Sequence, residues 1–377
     1  MNEMPKNTPS LQGPLQQLAA LGQSLWLDSI DRHLIASGEL ARLVGEGSVR
    51  GLTSNPAIFQ KAMAGQDYRD DIGRLRRAGR SALEVYETLA IADLQAAADI
   101  FRPLYEHTEA ADGYVSFEVA PSLAHDAAGT VAEAQRLWRA LERPNAMIKV
   151  PGTPAGIEAL EQLITEGINV NVTLLFSTAV YGAVAKAYMR AIARRHALGL
   201  ALRPVASVAS FFVSRVDSKV DAELDRLAGK AGLAAQIAAV RGQAAIANAK
   251  VAWAVAGECY ATAQWQALAA AGAQPQRLLW ASTGNKNPAA RDVRYIEELI
   301  GPDTVNTVPP ATLAAFADHG RAALTLSEGQ AAARLTVQHL AALGIDIEAV
   351  ATTLLQEGLQ QFEVAFEALI GAVTAVA

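Results

Sequence analysis

Two kinds of apolar pattern alternate along this chain: short runs that stop on a turn residue, and longer segments whose apolar residues recur at helical spacing. The short runs predict strands at Ser24–Asp28, Gly51–Pro56, Tyr114–Val119, Ala146–Pro151, Ile168–Phe176, Pro204–Phe212, Arg277–Ala281 and Thr304–Val308. The longer segments predict helices at Leu15–Leu21, at Arg32–Glu46 through Leu34, Ile35, Leu40, Leu43 and Val44, at about Ser81–His107, and at Thr130–Leu141. Thr153 with Pro154 opens a further helix that ends at Gly167, and Ser177 or Thr178 caps the next. A long helical region over about 217–270 is broken near Gly232 and Gly242, and helices follow near 311–317, 329–342 and 346–371. The last of these, with Val350, Leu354, Leu355, Leu359 and Phe362, has the pattern of a packing element.

Eight strand–helix alternations imply a parallel sheet and favour an α/β fold of the (β/α)8 TIM-barrel type over an open sheet. The fold expected is that barrel with an extra N-terminal helix and additional C-terminal helices. Residues 1–24 form a tail and short helix, and 25–377 form one barrel domain with a C-terminal helical extension; no linker or internal repeat divides them.

Composition narrows the function. The 377 residues are 51% apolar and carry a net charge of −6, which argues against nucleic acid or an anionic membrane as the main partner. The single cysteine, Cys259, cannot form an intramolecular disulfide and suits a reducing compartment. Residues Met1–Pro14 lack the apolar centre of a signal peptide, and the stretch Cys259–Gln276 is too polar to span a bilayer, so a cytoplasmic protein is expected. Monomer and homodimer both remain open. The six histidines are scattered, with no H-x-x-x-H or C-x-x-C pair, and no glycine-rich phosphate loop is present; no metal or cofactor is expected.

Candidate chemistry centres on Lys149, a lysine inside an apolar strand that stops at Pro151-Gly152. Burying its ammonium is costly, so such a site favours the neutral amine, a nucleophile for carbonyls; the competing possibility is a side chain that reaches out to water at a strand end or pairs with a carboxylate. Its company decides. In a parallel barrel catalytic groups come from the C-terminal ends of strands, and residues two apart share a face. Asp28 ends the first strand, Thr53 and Asn55 the second, Ser116 and Glu118 the third, Asn171 and Thr173 the fifth, while Ser210 lies on the sixth with Arg215 just beyond. Taken singly, each could be a strand former or a cap. Together they are the groups that imine chemistry needs: an amine, proton-handling acids, and donors for hydroxyls.

Four segments resemble the transaldolase family in its longer-chain branch: Thr53-Ser54-Asn55-Pro56, Ile148-Lys149-Val150-Pro151-Gly152-Thr153, Gly167 to Ser177, and Ala281 to Pro288. The similarity runs from about Leu25 to His319 in the same order. It implies a metal-free barrel of the class I aldolase kind that moves a dihydroxyacetone unit from sedoheptulose 7-phosphate to glyceraldehyde 3-phosphate, giving erythrose 4-phosphate and fructose 6-phosphate. On the same resemblance Lys149 is the Schiff-base lysine and Asp28 the acid/base for the C4 hydroxyl. Glu118 works through a water that Thr173 holds. Asn55 and Asn171 bind donor hydroxyls, Thr53 belongs to the same substrate site, Ser210 and Arg215 serve the donor and phosphate site, and Phe212 lines the pocket. The chain departs from the better-known branch at Ser210-Phe211-Phe212-Val213-Ser214-Arg215, which lacks the usual Pro and Gly. It also offers Ser282 and Lys286 where a second arginine is expected, and lysine lacks the bidentate fork. Two rivals follow: a fructose 6-phosphate aldolase of the same superfamily, and a non-catalytic barrel that only binds sugar phosphates.

Overall fold

A computed structural model describes residues 13–376; the tail expected over 1–12 lies outside them. Eight parallel strands close in sequence order: β1 (Gln23–Asp28), β2 (Gly51–Thr53), β3 (Tyr114–Glu118), β4 (Ala146–Pro151), β5 (Val170–Leu175), β6 (Ser207–Phe212), β7 (Arg277–Ala281) and β8 (Thr304–Val308). The (β/α)8 barrel expected from the sequence is therefore present. Helices cover the outside, so the strands are buried on both faces, most of their polar residues included. Phe211 makes edge-on contacts with Trp280 and Tyr181 in this sheet–helix layer. Gly51 has no alternative: a Cβ there would lie 2.5 Å from the Trp26 ring.

Several elements differ from the sequence expectation. The helix over Arg32–Glu46 is two, Arg32–Ala36 and Glu39–Gly45, because Gly38 turns the chain with φ +80°. The fifth strand is Val170–Leu175, shorter at both ends than expected. The sixth begins at Ser207, not Pro204; the preceding residues form a turn in which Val205 N donates to the Leu202 carbonyl. The helical region after it resolves into Ser214–Leu227, Ala234–Val240, Ala244–Tyr260 and Ala263–Ala270. The second strand stops at Thr53, because Asn55 caps a helix that Pro56 opens; residues 57–77, unassigned from sequence, lie in helices Pro56–Met63 and Arg69–Arg77 around one 3-10 turn. β1 starts at Gln23, pairing with Thr304, so the barrel begins two residues before the expected boundary at Leu25.

At the N-terminal end of the barrel, Asp112 ties four strands together. It accepts from Ser24 Oγ (2.7 Å), Arg50 Nε (2.7 Å) and Arg277 Nη2 (3.0 Å). Burial alone would raise this carboxyl, yet the two guanidiniums outweigh it and hold Asp112 below the ordinary aspartate value. A depressed acid stabilises the fold above its unfolded-state pKa, and that contribution is lost as the pH falls through the folded value. Asp112→Ala is therefore expected to cost about 3 kcal/mol at neutral pH, measured by urea denaturation, with the difference shrinking in acid.

Candidate active site

The C-terminal ends of the strands surround a pocket with Lys149 near its floor. Register sets the closest pair: Glu118 and Lys149 are direct neighbours across β3 and β4, and Glu118 Oε2 lies 3.2 Å from Lys149 Nζ. Nζ also donates to the Ser54 carbonyl at 2.8 Å. Both side chains are buried, at 6% and 7% exposure, so the lysine does not reach out to water, but it does pair with a carboxylate, the other alternative to a free amine. Asp28, the last residue of β1, is paired in register with Thr53 of β2, whose hydroxyl donates to Asp28 Oδ1 at 2.7 Å.

Burial pushes both carboxyls above their usual range. For Asp28 the Thr53 hydroxyl, Lys149 and Arg215 pull back against that rise. For Glu118 only Lys149 pulls back, and the charge of Asp28 adds to the upward shift. Two carboxyls raised by desolvation beside an amine are suited to taking up and returning protons. Glu118 Oε2 and Thr173 Oγ1 are buried without a well-directed hydrogen bond among the described residues, so each has capacity for a water or a substrate hydroxyl.

The cavity above Lys149 holds about 190 Å³. Thr173 and Ser210 line it from β5 and β6, and Phe212 and Arg215 follow at the end of β6, with the guanidinium 5.4 Å from the Phe212 ring centre. Ser282 and Lys286 line the β7 side. Ser282 adopts the left-handed conformation (φ +55°), and its backbone carbonyl accepts from Ser214 N at 3.0 Å, which joins the ends of β6 and β7. Asn55 serves two purposes. Its Oδ1 caps helix Pro56–Met63 by accepting from Ile58 N at 3.0 Å, while the side chain also lines the pocket with its NH2 unpartnered among the described residues.

Three of the residues singled out from sequence do not line the cavity, and one of them, Ser116, is wholly buried. Glu118 stands behind Lys149. Asn171 lies deeper in the barrel, wholly buried, its amide already engaged: Oδ1 accepts from Ser210 Oγ (2.7 Å) and Nδ2 donates to Ser116 Oγ (3.1 Å). In this structure Asn171 orients Ser210.

Other lining residues escaped the sequence reading. Thr307 of β8, whose Oγ1 is 2.7 Å from Thr53 Oγ1, carries the signal used for the others, a polar residue just before a strand-ending proline. Phe362 carried none. It belongs to helix Ile347–Ala375, which crosses the barrel mouth and places the Phe362 ring centre 6.0 Å from Lys149 Nζ. That helix, expected only to pack, is a roof. It is seated on β5 at a break in the ladder to β6 between Val172 and Leu175, where Leu174 takes φ +58°. A Cβ at Gly358 would lie 2.9 Å from Leu174 Cδ2, which accounts for glycine at the crossing.

Fold and pocket together define an α/β-barrel enzyme with a buried lysine among carboxyls and hydroxyls at the C-terminal mouth. A family model described as transaldolase/fructose-6-phosphate aldolase matches residues 25–373, and the chain belongs to that family. Relatives named transaldolase include one from Neisseria gonorrhoeae, 51% identical over 358 residues and covering 94% of this chain and 98% of its own. One from Thiobacillus denitrificans is 48% identical over 356 residues, with 94% and 98% covered. A protein of Nostoc sp. named transaldolase 2 is 48% identical over 363 residues, with 94% and 95% covered.

Proposed function

We propose that this enzyme transfers a dihydroxyacetone unit from sedoheptulose 7-phosphate to glyceraldehyde 3-phosphate through a Schiff base on Lys149, in the non-oxidative pentose phosphate pathway of the cytoplasm. The observation that carries the proposal is the buried Lys149–Glu118 contact, with Asp28 and its raised carboxyl also at the pocket. Lys149 Nζ bonds to the donor's C2 carbonyl carbon, and water leaves as the iminium forms. Asp28 takes the C4 hydroxyl proton, the C3–C4 bond breaks, and its electron pair moves into the iminium to give an enamine. Erythrose 4-phosphate departs. The enamine carbon then attacks the aldehyde of glyceraldehyde 3-phosphate, Asp28 returns the proton, and hydrolysis of the iminium releases fructose 6-phosphate. Glu118, through a water shared with Thr173, handles the protons of imine formation and hydrolysis. Asn55, Thr53 and Ser210 contact substrate hydroxyls, Asn171 acts through Ser210, and Phe212 walls the pocket. Arg215, Lys286 and Ser282 receive the phosphate. Residues 25–377 act as one domain.

Borohydride added with fructose 6-phosphate is expected to fix a covalent sugar adduct that peptide mapping places on Lys149. An unmodified protein would rule out the imine, leaving a barrel that only binds. Free dihydroxyacetone released faster than it is transferred to glyceraldehyde 3-phosphate would assign the aldolase reaction instead.

A further inference from the structure

The reaction above leaves unused two polar side chains that the roof helix brings to the outer end of the pocket. Arg215 and Lys286 line both the inner cavity and a second one of about 240 Å³, to which Ser218, Lys219, Glu357 and Gln361 also contribute. Arg215 and Lys219 are one turn apart on helix Ser214–Leu227, and Glu357 and Gln361 are one turn apart on helix Ile347–Ala375. The two pairs meet rung by rung: Lys219 Nζ lies 2.5 Å from Glu357 Oε1, and Arg215 Nη1 donates to Gln361 Oε1 at 2.8 Å.

The rungs differ in charge. A carboxylate pairs directly with Lys219, whereas a neutral amide holds Arg215 in place, and the carboxylates of Asp28 and Glu357 act on its charge only through space. Lys286 has no ion pair or hydrogen bond among the described residues, and the like charge of Arg215 acts on it. Burial also works against both cations. Two partly desolvated cations facing one cavity without a carboxylate bound to either are matched to a phosphate dianion.

We propose that the roof helix sets how tightly this vestibule holds phosphate: Glu357 limits it to two cations without a carboxylate in contact by pairing Lys219, and Gln361 is a positioning residue for the Arg215 guanidinium. The proposal rests on the sugar-phosphate reading above. It gives the helix a purpose that packing alone does not explain, since an enzyme that releases one phosphorylated product before binding the next substrate needs a phosphate grip that lets go.

Calorimetric titration of the full-length protein with inorganic phosphate tests the vestibule without any turnover. Glu357→Gln keeps an acceptor for Lys219 but removes the charge, and is expected to tighten phosphate binding about 3–10-fold. Adding Lys219→Met to it should return affinity to the wild-type value. Gln361→Glu, which offers Arg215 a carboxylate, should weaken binding by about 10-fold. Gln361→Ala should raise KM for glyceraldehyde 3-phosphate several-fold relative to unphosphorylated glyceraldehyde while kcat stays within about twofold. Unchanged or weaker phosphate binding in Glu357→Gln overturns the inference, as does a wild type that binds no phosphate. A wild type that binds phosphate as described yet transfers nothing to glyceraldehyde 3-phosphate overturns the proposed reaction and leaves the vestibule standing.

Discussion

In Lys149→Met the transfer rate is expected to fall by about 10⁴-fold or more, and the borohydride adduct should disappear while the fold survives. Methionine nearly matches the volume of the lysine stem, so the apolar contacts of the buried strand are kept. The electrostatic consequence falls on Glu118. With its strongest opposing influence gone, the carboxyl is left to burial and to the charge of Asp28, both of which push it up, and it can take a proton rather than stand as an unpaired buried charge. Lys286 provides the internal control, because it is the other lysine lining the pocket. It feels the like charge of Arg215 and pairs with no carboxylate among the described residues, so Lys286→Met should retain the adduct. Circular dichroism and urea midpoints establish that both variants are folded, and peptide mapping locates the label. An adduct that persists in Lys149→Met and is lost in Lys286→Met would reverse the assignment of the amine.

The floor of this site was legible in the sequence because strand periodicity and barrel topology fix it. A polar residue at a core-facing position near the end of a parallel strand has one place to go, and Asp28, Thr53, Thr173 and Ser210 all go there. The Glu118–Lys149 contact follows from register between successive strands. Parity could not separate Asn171 from Thr173, which share a face of β5; depth in the barrel separates them, and only Thr173 lines the cavity. The roof was not legible for a different reason. Amphipathic spacing in Ile347–Ala375 shows that the helix buries a face, but the same spacing serves a helix on the barrel's flank and one across its mouth. What tells them apart is the fit of Gly358 over Leu174, a contact between segments far apart in sequence and set by a backbone conformation that periodicity does not report. Glu357, Gln361 and Phe362 were hidden with it.

Asp28→Asn separates what this acid does for the reaction from what it costs the fold. The amide keeps an oxygen for the Thr53 hydroxyl but cannot take the C4 hydroxyl proton, so kcat should fall by about 10²–10⁴-fold with KM within a few-fold. Stability should move the other way. Burial raises the Asp28 carboxyl above its ordinary value, despite Thr53, Lys149 and Arg215, so its protonated form suits the fold better than its ionised form. A raised acid contributes stability that is fully present below the unfolded-state pKa of about 3.9 and is lost as the pH rises through the folded value. At neutral pH the variant should therefore have a higher urea midpoint than wild type, and the gap should close as the pH approaches 4. Removing the Asp28 charge also relieves Glu118, which adds to the gain. The two readouts are independent. A change in KM alone would remove Asp28 from the proton transfer. A lower urea midpoint at neutral pH would mean that its charge, held by Lys149 and Arg215, is worth more to the fold than its desolvation costs.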